Sequence, residues 1–346
     1  MGVSHIFIGL NGGHHTSSAL AYAPESDVLS MATGQSLNMH RLPLNVILYR
    51  LDKLLTDLCS RVGMANTDAL YLAATGRMVI SLPGAGLADD QDYASAIVRH
   101  AGCKNARIVD DTWAGLFEET LEESGICAFA GTGASVCVAM GEFVPGKVHK
   151  IDGWGPVIGD YGSGFQLVTD FFRWLGRELD LKHASPLFDE VRKLRPDIRS
   201  LEHVQRWFDM LYLGGNQEWP AEYAAIAKAI TLAADREDNP DRDACCLVEK
   251  CAHDMVTSIQ IALTRFGGQS QGMPLVFQGG MFWHSRLYRD TVARGLCEKV
   301  EHVILARHGP DVGALLMACT PDVALMHHIR DVKLDKSAKQ SNEGCP

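Results

Sequence analysis

Three glycine-rich blocks in the middle of the chain combine residue types suited to holding an anion. The first, Gly131–Ser135, reads GTGAS and directly follows an apolar run of strand character, Ile126–Ala130. Glycines at the end of a strand permit a tight turn in which backbone N–H groups can face a phosphate. DGWG at Asp152–Gly155 and GDYGSG at Gly159–Gly164 follow. Asp160 comes just before an amphipathic run that begins near Phe165, so its carboxylate is expected at a loop-to-helix junction, where it can orient a ligand. Two adjacent carboxylates, Asp110 and Asp111, close another short run of strand character at Ala106–Val109.

Such residues need a scaffold, and the composition bounds what it can be. The 346 residues, 47% of them hydrophobic, suit two domains of ordinary size rather than one core. The net charge of −10 with both signs interspersed offers no basic stripe for nucleic acid or an anionic membrane. A small-molecule partner fits better. No run of about 18 apolar residues occurs, and the first residues, MGVSHIFIGL, lack the pattern of a secretory signal, so a cytoplasmic location is expected. The 10 cysteines are scattered without paired CxxC spacing and read as buried thiols, Cys245–Cys246 included.

Periodicity then orders the elements. Ile6–Leu10 and Ser18–Ala23 flank a Gly/His/Ser turn and read as a hairpin. A helical period runs over Asn45–Val62, with Ile47, Leu48, Leu51, Leu54, Leu55 and Leu58 on one face. A strand at Leu70–Ala74, the turn SLPGAG at Ser81–Gly86, a helix over Asp89–His100 and a helix over Thr112–Glu122 complete an α/β layer. A second hairpin, Ile126–Ala130 with Ser135–Met140, restarts the pattern and points to a duplicated domain. The chain from Phe165 to Phe266 is helical by period, with breaks near Pro196, Gly214–Gly215 and Asn239–Pro240. Strands at Pro274–Gln278 and Val303–Ala306 and helices at His284–Leu296 and Asp311–Cys319 return to alternation. This divides the chain into residues 1–122, residues 123–332 with a helical segment over 165–266, and a polar tail over 333–346 that is expected to be disordered.

Taken together, GQSLN at Gly34–Asn38, PGAG at Pro83–Gly86, VDDTWAGL at Val109–Leu116, GTGAS, the Gly153–Asp160 segment and FQGGMF at Phe277–Phe282 resemble the N-acetylglucosamine kinase branch of the actin-like sugar kinases. More broadly, they resemble the BadF-type ATPase family. The resemblance spans about Ile6 to Cys319. It implies an α/β fold of two actin-like, ribonuclease H-like ATPase domains with a cleft between them, and ATP and Mg2+ as cofactors. The implied reaction is phosphorylation of the 6-hydroxyl of N-acetylglucosamine or a related amino sugar. On the ATP side it assigns Gly12, Gly13, Thr16, Thr132, Gly133, Gly279 and Gly280. On the sugar side it assigns Asn38, Asp111, Ala134, Ser135, Gly153, Trp154, Gly155 and Asp160. Asp111 takes the place of the catalytic base, and Asp110 is its rival, but strand alternation points the two in opposite directions, so that only one can serve. A homodimer is compatible with the resemblance, whose partners are otherwise small molecules.

One motif departs from the family's pattern. Relatives carry acid-Gly-Gly-Gly-Thr in the first phosphate hairpin, whereas this chain reads Asn11-Gly12-Gly13-His14-His15-Thr16. An amide adds no negative charge toward magnesium, so a sugar- or nucleotide-binding protein without turnover stays open as an alternative. The stretch GLNGGHHTSSALA is also similar to the N-terminal hairpin of carbamoyltransferases, which keeps an altered group transfer open. Plainer readings stand beside several residues: Trp154 as a hinge filler, His14–His15 as turn residues rather than metal ligands, Ser17–Ser18 as hairpin lining. Likewise Asp89, Asp90 and Asp92 read as a helix N-terminus, and His327–His328 as helix surface.

Overall fold

Two five-stranded sheets organise the chain, and both have the same strand order. The computed structural model describes residues 6–13, 16–39, 42–65, 67, 69, 75, 77–86, 88–141, 148–196, 198, 200, 202–206, 219–269, 272–297, 299–300 and 302–334. The first sheet is built from β1 (Phe7–Asn11), β2 (Thr16–Ala23), β3 (Val28–Gln35), β4 (Met78–Leu82) and β5 (Arg107–Asp110), in the order β3-β2-β1-β4-β5. The second contains β6 (Ser124–Ala130), β7 (Ala134–Met140), β8 (Val148–Ile151), β9 (Leu275–Gln278) and β10 (Val303–Leu305), in the order β10-β9-β6-β7-β8. Counted from its own first strand, each sheet therefore runs 3-2-1-4-5, and the duplication expected from the repeated hairpin is present.

In the first sheet β1 and β2 are antiparallel, with Asn11 opposite Ser18, while β4 and β5 run parallel to β1. Every residue of β4 is buried, as befits a parallel strand covered on both faces. Helix α1 (Leu44–Arg61) buries Ile47, Leu51, Leu54, Leu55 and Leu58 and covers one face beside β2 and β3. Leu48 is only half-buried. Helix α2 spans Ala88–His100 and begins in the acidic stretch Asp89–Asp92. Helix α3 (Asp111–Thr120) follows β5 without a gap.

Between β8 and β9 the described residues are largely helical: α4 (Gly164–Asp180), α5 (Pro186–Leu194), α6 (Trp219–Ala234) and α7 (Arg242–Phe266). After β9 come α8 (Gly280–His284) and α9 (Arg286–Leu296), and after β10 come α10 (Pro310–Ala318), α11 (Val323–His327) and a π-helical turn over His328–Leu334. Packing gathers Met1–Gly125, Val138–His149 and Ala306–Pro346 into one compact unit and Ile126–Cys137 with Lys150–Leu305 into another.

Several expectations need correction. Residues 306–332 were assigned to the second half of the chain, yet α10 packs on β1 and α3 of the first unit. Its residues Val312 to Ala318 are all buried, and a helix without a polar face gives no sign of which sheet it serves. The turn expected at Ser81–Gly86 takes in the last two residues of β4 (Met78–Leu82), a strand absent from the expected elements because its five residues are all buried and show no alternation; β3 and β8 are absent from them too. Both end a sheet, and their mixed burial blurs the two-residue alternation that marks a half-buried strand. Cys246 and Cys297 are exposed and Cys245 half-buried rather than core, while Cys59, Cys103, Cys127, Cys137, Cys251 and Cys319 are buried thiols. Of the tail, residues 333–334 belong to the last π-helical turn and 335–346 lie outside the described residues, as do the strand expected at Leu70–Ala74 and the break at Gly214–Gly215.

Candidate active site

The sequence-predicted residues fall into two groups, one in each unit. In the second unit the GTGAS block is the connection between β6 and β7, and it is tied to the start of α4. Gly131 N–H donates to Gly133 O at 2.8 Å, while the Gly131 and Thr132 carbonyls accept from Gly164 N–H (2.8 Å) and Phe165 N–H (3.1 Å). Helix α4 is capped by Ser163, whose hydroxyl accepts from Gln166 N–H. The first turn of the helix thus uses the turn's carbonyls as partners for N–H groups that a helix cannot satisfy by itself.

Asp160 adjoins this turn. A side chain added to Gly133 would start 3.0 Å from Asp160 Oδ2, and the Asp160 carboxylate accepts from Gly155 N–H at 3.2 Å and from Ala134 N–H. Burial, and then the negative charge of Asp152, push its pKa up to about 6, against the opposing pull of those N–H groups and of Lys150. Gly153 has φ 76°, and a Cβ there would meet Ser135 Cβ at 2.9 Å, so glycine alone lets the loop lie against β7. The structure therefore brings together Gly133, Ala134, Ser135, Gly153, Gly155 and Asp160. Trp154 stands out from this group with 68% of its surface exposed.

Gly279 and Gly280 join β9 to α8 in the same unit. Gly279 has φ 101° and ψ 165°, and a Cβ there would meet Ala130 O at 2.5 Å, so the β9 end touches the last residue of β6, just before the GTGAS turn, at backbone contact. Gln278 before it is fully buried.

In the first unit Gly12 and Gly13 directly follow β1. Gly12 N–H donates to Ser81 O at 2.8 Å and its carbonyl accepts from Leu37 N–H at 3.0 Å. Ser36 Oγ donates to Gly13 O at 2.9 Å and accepts from Asn38 N–H at 3.1 Å. Arg50 of α1 donates to Ser36 O at 2.9 Å. The glycines and the buried Asn38 are thus brought together. Asn11 Oδ1 accepts from Ser81 Oγ at 3.3 Å. Thr16 is exposed at the start of β2, and the buried Ser17 donates to Gln35 O within the hairpin. His14 and His15 lie outside the described residues. His327 and His328 are surface groups, held by Asp331 and Asp27.

Asp110 and Asp111 are separated by a different device from the one expected. The strand ends at Asp110 and Asp111 opens α3, so a switch from strand to helix, rather than strand alternation, sets their directions. Asp110 is 1% exposed and its oxygens accept from Gly86 N–H (3.2 Å), Thr112 N–H (3.0 Å) and the Thr112 hydroxyl. It is the N-cap of α3. Asp111 is half-buried and accepts from Thr112 N–H at 3.0 Å.

Sequence reasoning missed Asp152. Its carboxylate accepts from the N–H groups of Asp160 (2.9 Å) and Tyr161 (2.7 Å), a pairing across eight and nine positions. An aspartate ahead of Gly-Trp-Gly was the only signal. Among the described residues no cluster of three or more His, Cys, Asp or Glu side chains is arranged for a metal ion, and no helix is long and apolar enough to cross a membrane.

Comparison with known proteins fits this architecture. N-acetyl-D-glucosamine kinase of Dictyostelium discoideum is 22% identical over 320 residues, covering 90% of this chain and 97% of that protein. A candidate N-acetylglucosamine kinase from Chromobacterium violaceum superposes with a TM-score of 0.69 at 21% identity, covering 91% of this chain and 99% of the other. A second such candidate, from Porphyromonas gingivalis, gives 0.63 at 15% identity, over 94% and 99%. These solved structures share the two-domain actin-like fold, which the paired 3-2-1-4-5 sheets repeat here. The family pattern itself matches residues 8–318, so the chain belongs to the BadF/BadG/BcrA/BcrD ATPase family.

Proposed function

We propose that the protein transfers the γ-phosphoryl group of ATP to the 6-hydroxyl of N-acetylglucosamine or a closely related amino sugar. The observation that carries this reading is the contact of two unlike recognition elements in one unit. The Gly131–Gly133 turn, of phosphate-holding type, directly adjoins the Asp160 carboxylate, a strong acceptor for hydroxyl groups. A site with both elements suits a polyhydroxyl acceptor next to a phosphoryl donor. The similarity to a Dictyostelium N-acetyl-D-glucosamine kinase over nearly its whole length supports the choice of sugar.

In this reading Thr132, Gly133, Gly12, Gly13, Thr16, Gly279 and Gly280 hold the nucleotide. Asn38, Ala134, Ser135, Gly153, Trp154, Gly155 and Asp160 bind the sugar. Asp111 accepts the proton from the 6-hydroxyl oxygen as that oxygen attacks the γ-phosphorus and the bond to the β-γ bridging oxygen breaks. Asp110 is an unsuitable base, because both its oxygens already serve backbone N–H groups of its own unit. The described residues do not form a protein-built magnesium cage. Asn11 brings an amide held by Ser81 rather than a carboxylate, and magnesium would reach such a site on the nucleotide phosphates, keeping several of its waters. The expected setting is the cytoplasm, with sugar and ATP rather than nucleic acid or membrane as partners, and a homodimer is compatible with it.

Following ADP release from ATP with a panel of hexoses and hexosamines tests the reading. Release that depends on an N-acetylated amino sugar is the expected result. ADP release that no hexosamine stimulates would overturn it.

A further inference from the structure

The loop between β8 and α4 contains little that could hold it by apolar burial. Trp154, Val157 and Ile158 are 68%, 80% and 72% exposed, so they lend it no core. Its distal end is secured by polar contacts: Gly162 N–H donates to Gln166 Oε1 at 2.6 Å, and Tyr288 Oη of α9 donates to Gly162 O at 2.7 Å. Gln166 in turn donates to Asp254 of α7. The proximal end depends on Asp152. This residue has φ 61°, and its carboxylate gathers the N–H groups of Asp160 and Tyr161 together with Gly153 N–H and the Ser258 side chain of α7. Both ends of the loop are thereby fastened to one carboxylate, which is itself fastened to a long helix. Inside the closed ring, Gly159 N–H donates to Gly155 O at 2.9 Å, and a Cβ on Gly159 would meet Asp152 Oδ1 at 2.6 Å and Trp154 Cβ at 2.9 Å.

We propose that Asp152 is a positioning residue: its carboxylate clasps loop 153–161 so that Gly153–Gly155 and Asp160 stand ready for the acceptor before it arrives. The nature of that acceptor, an amino sugar, rests on the proposed function, whereas the clasp itself does not. A loop closed in advance loses less freedom when ligand binds, so removing the clasp weakens acceptor binding more than nucleotide binding. Asp152 is also half of a like-charge pair. Among the described residues, the charged groups that act most on Asp160 are Asp152 and Lys150, while Asp152 is met from α7 by the neutral Ser258.

Asp152→Ala, Asp152→Asn and Ser258→Ala, compared with wild type in the full chain, test the proposal. In hydrogen exchange, the Asp160 and Tyr161 amides are protected in wild type and exchange at least about tenfold faster in Asp152→Ala, while β6, β9 and α7 keep their protection. In kinetics, KM for N-acetylglucosamine rises at least about tenfold in Asp152→Ala and KM for ATP stays within about twofold. Asp152→Asn keeps one acceptor oxygen and shows a smaller rise. It also removes a negative charge beside Asp160, so the acid limb of kcat/KM for the sugar moves to lower pH, which a purely structural role would not produce. Ser258→Ala gives a weaker version of the Asp152→Ala pattern. Equal exchange of the two amides in wild type and Asp152→Ala would overturn the clasp, as would parallel rises in both KM values with no shift in the pH profile. If wild type shows no sugar-dependent ADP release, the sugar reading fails, and the exchange measurement alone then decides the clasp.

Discussion

Asp110 and Asp111 show how one residue of separation divides two identical side chains between structure and chemistry. Asp110 is committed to Gly86 and Thr112. Asp110→Asn therefore weakens an N-cap, with a loss of about 0.5–2 kcal/mol, visible as a lower Tm with the sugar KM little changed. Asp111→Asn is expected to reduce kcat at least about 10²-fold while leaving Tm and nucleotide affinity close to wild type. The reverse pattern in the two variants would exchange their roles. Glu118 offers a second prediction, on stability. It is fully buried in α3, and burial, followed by the adjacent Glu119, pushes its carboxyl up to about 9 against the pull of Arg307 and Arg330. The folded state thus retains a proton that the unfolded chain releases near pH 4, so unfolding free energy declines as pH rises from about 4 to about 9 and levels off above it. Glu118→Gln removes this proton linkage. Its gain in Tm over wild type is expected to grow between pH 5 and pH 9 in a calorimetric series, and a constant difference across that range would refute the assignment.

At the scale of elements, the backbone contact of the β9 end with the last residue of β6, just before the GTGAS turn, carries its own prediction. Gly279→Ala places a Cβ against Ala130 O at a positive φ that alanine adopts with strain, a cost of about 1–3 kcal/mol. It is expected to lower Tm and to raise the Kd for ATP in titration calorimetry by more than it raises the Kd for sugar. An unchanged Tm with unchanged ATP affinity would show that this contact is slack. The elements also show what the sequence could reveal. Helix α1 was legible because Ile47, Leu51, Leu54, Leu55 and Leu58 repeat every three or four residues and are buried together. The first two strands of each sheet were legible as hairpins of apolar runs joined by glycine. Strands β3 and β8 were not, because an edge strand such as VLSMATGQ has little burial to enforce alternation. At the site, glycine-rich blocks marked the turns, since backbone close to backbone demands glycine. Asp152 escaped notice because its partners are backbone N–H groups eight and nine residues away, and an N–H carries no residue signature.

On the scale of the whole molecule, the chain makes two sheets of one design and then does not finish where a simple duplication would. After β10 it supplies α10 to the first unit, seated between β1 and α3. Contact there is at backbone distance. A Cβ on Gly9 of β1 would collide with the backbone of Leu315, and a Cβ on Gly313 of α10 would collide with the Ala114 carbonyl. Val312, Leu315, Leu316 and Met317 of the helix join Leu20, Tyr22, Val79, Val109 and Phe117 in one buried cluster. At about 1.5–3 kcal/mol for each large apolar side chain buried, these four helix residues alone contribute on the order of 6–12 kcal/mol, comparable with the whole stability of a typical domain, about 5–15 kcal/mol. A chain ended at Leu305 therefore retains all ten strands yet is expected to lose cooperative folding of the first unit, while β6 and β9, which pair with each other in the second unit, keep much of their exchange protection. Circular dichroism, dye binding to exposed apolar surface and hydrogen exchange read the three parts of that expectation. A truncated chain with a sharp thermal transition and protected β1 and β4 amides would show that the first sheet supports itself, and that α10 serves some purpose other than completing its core.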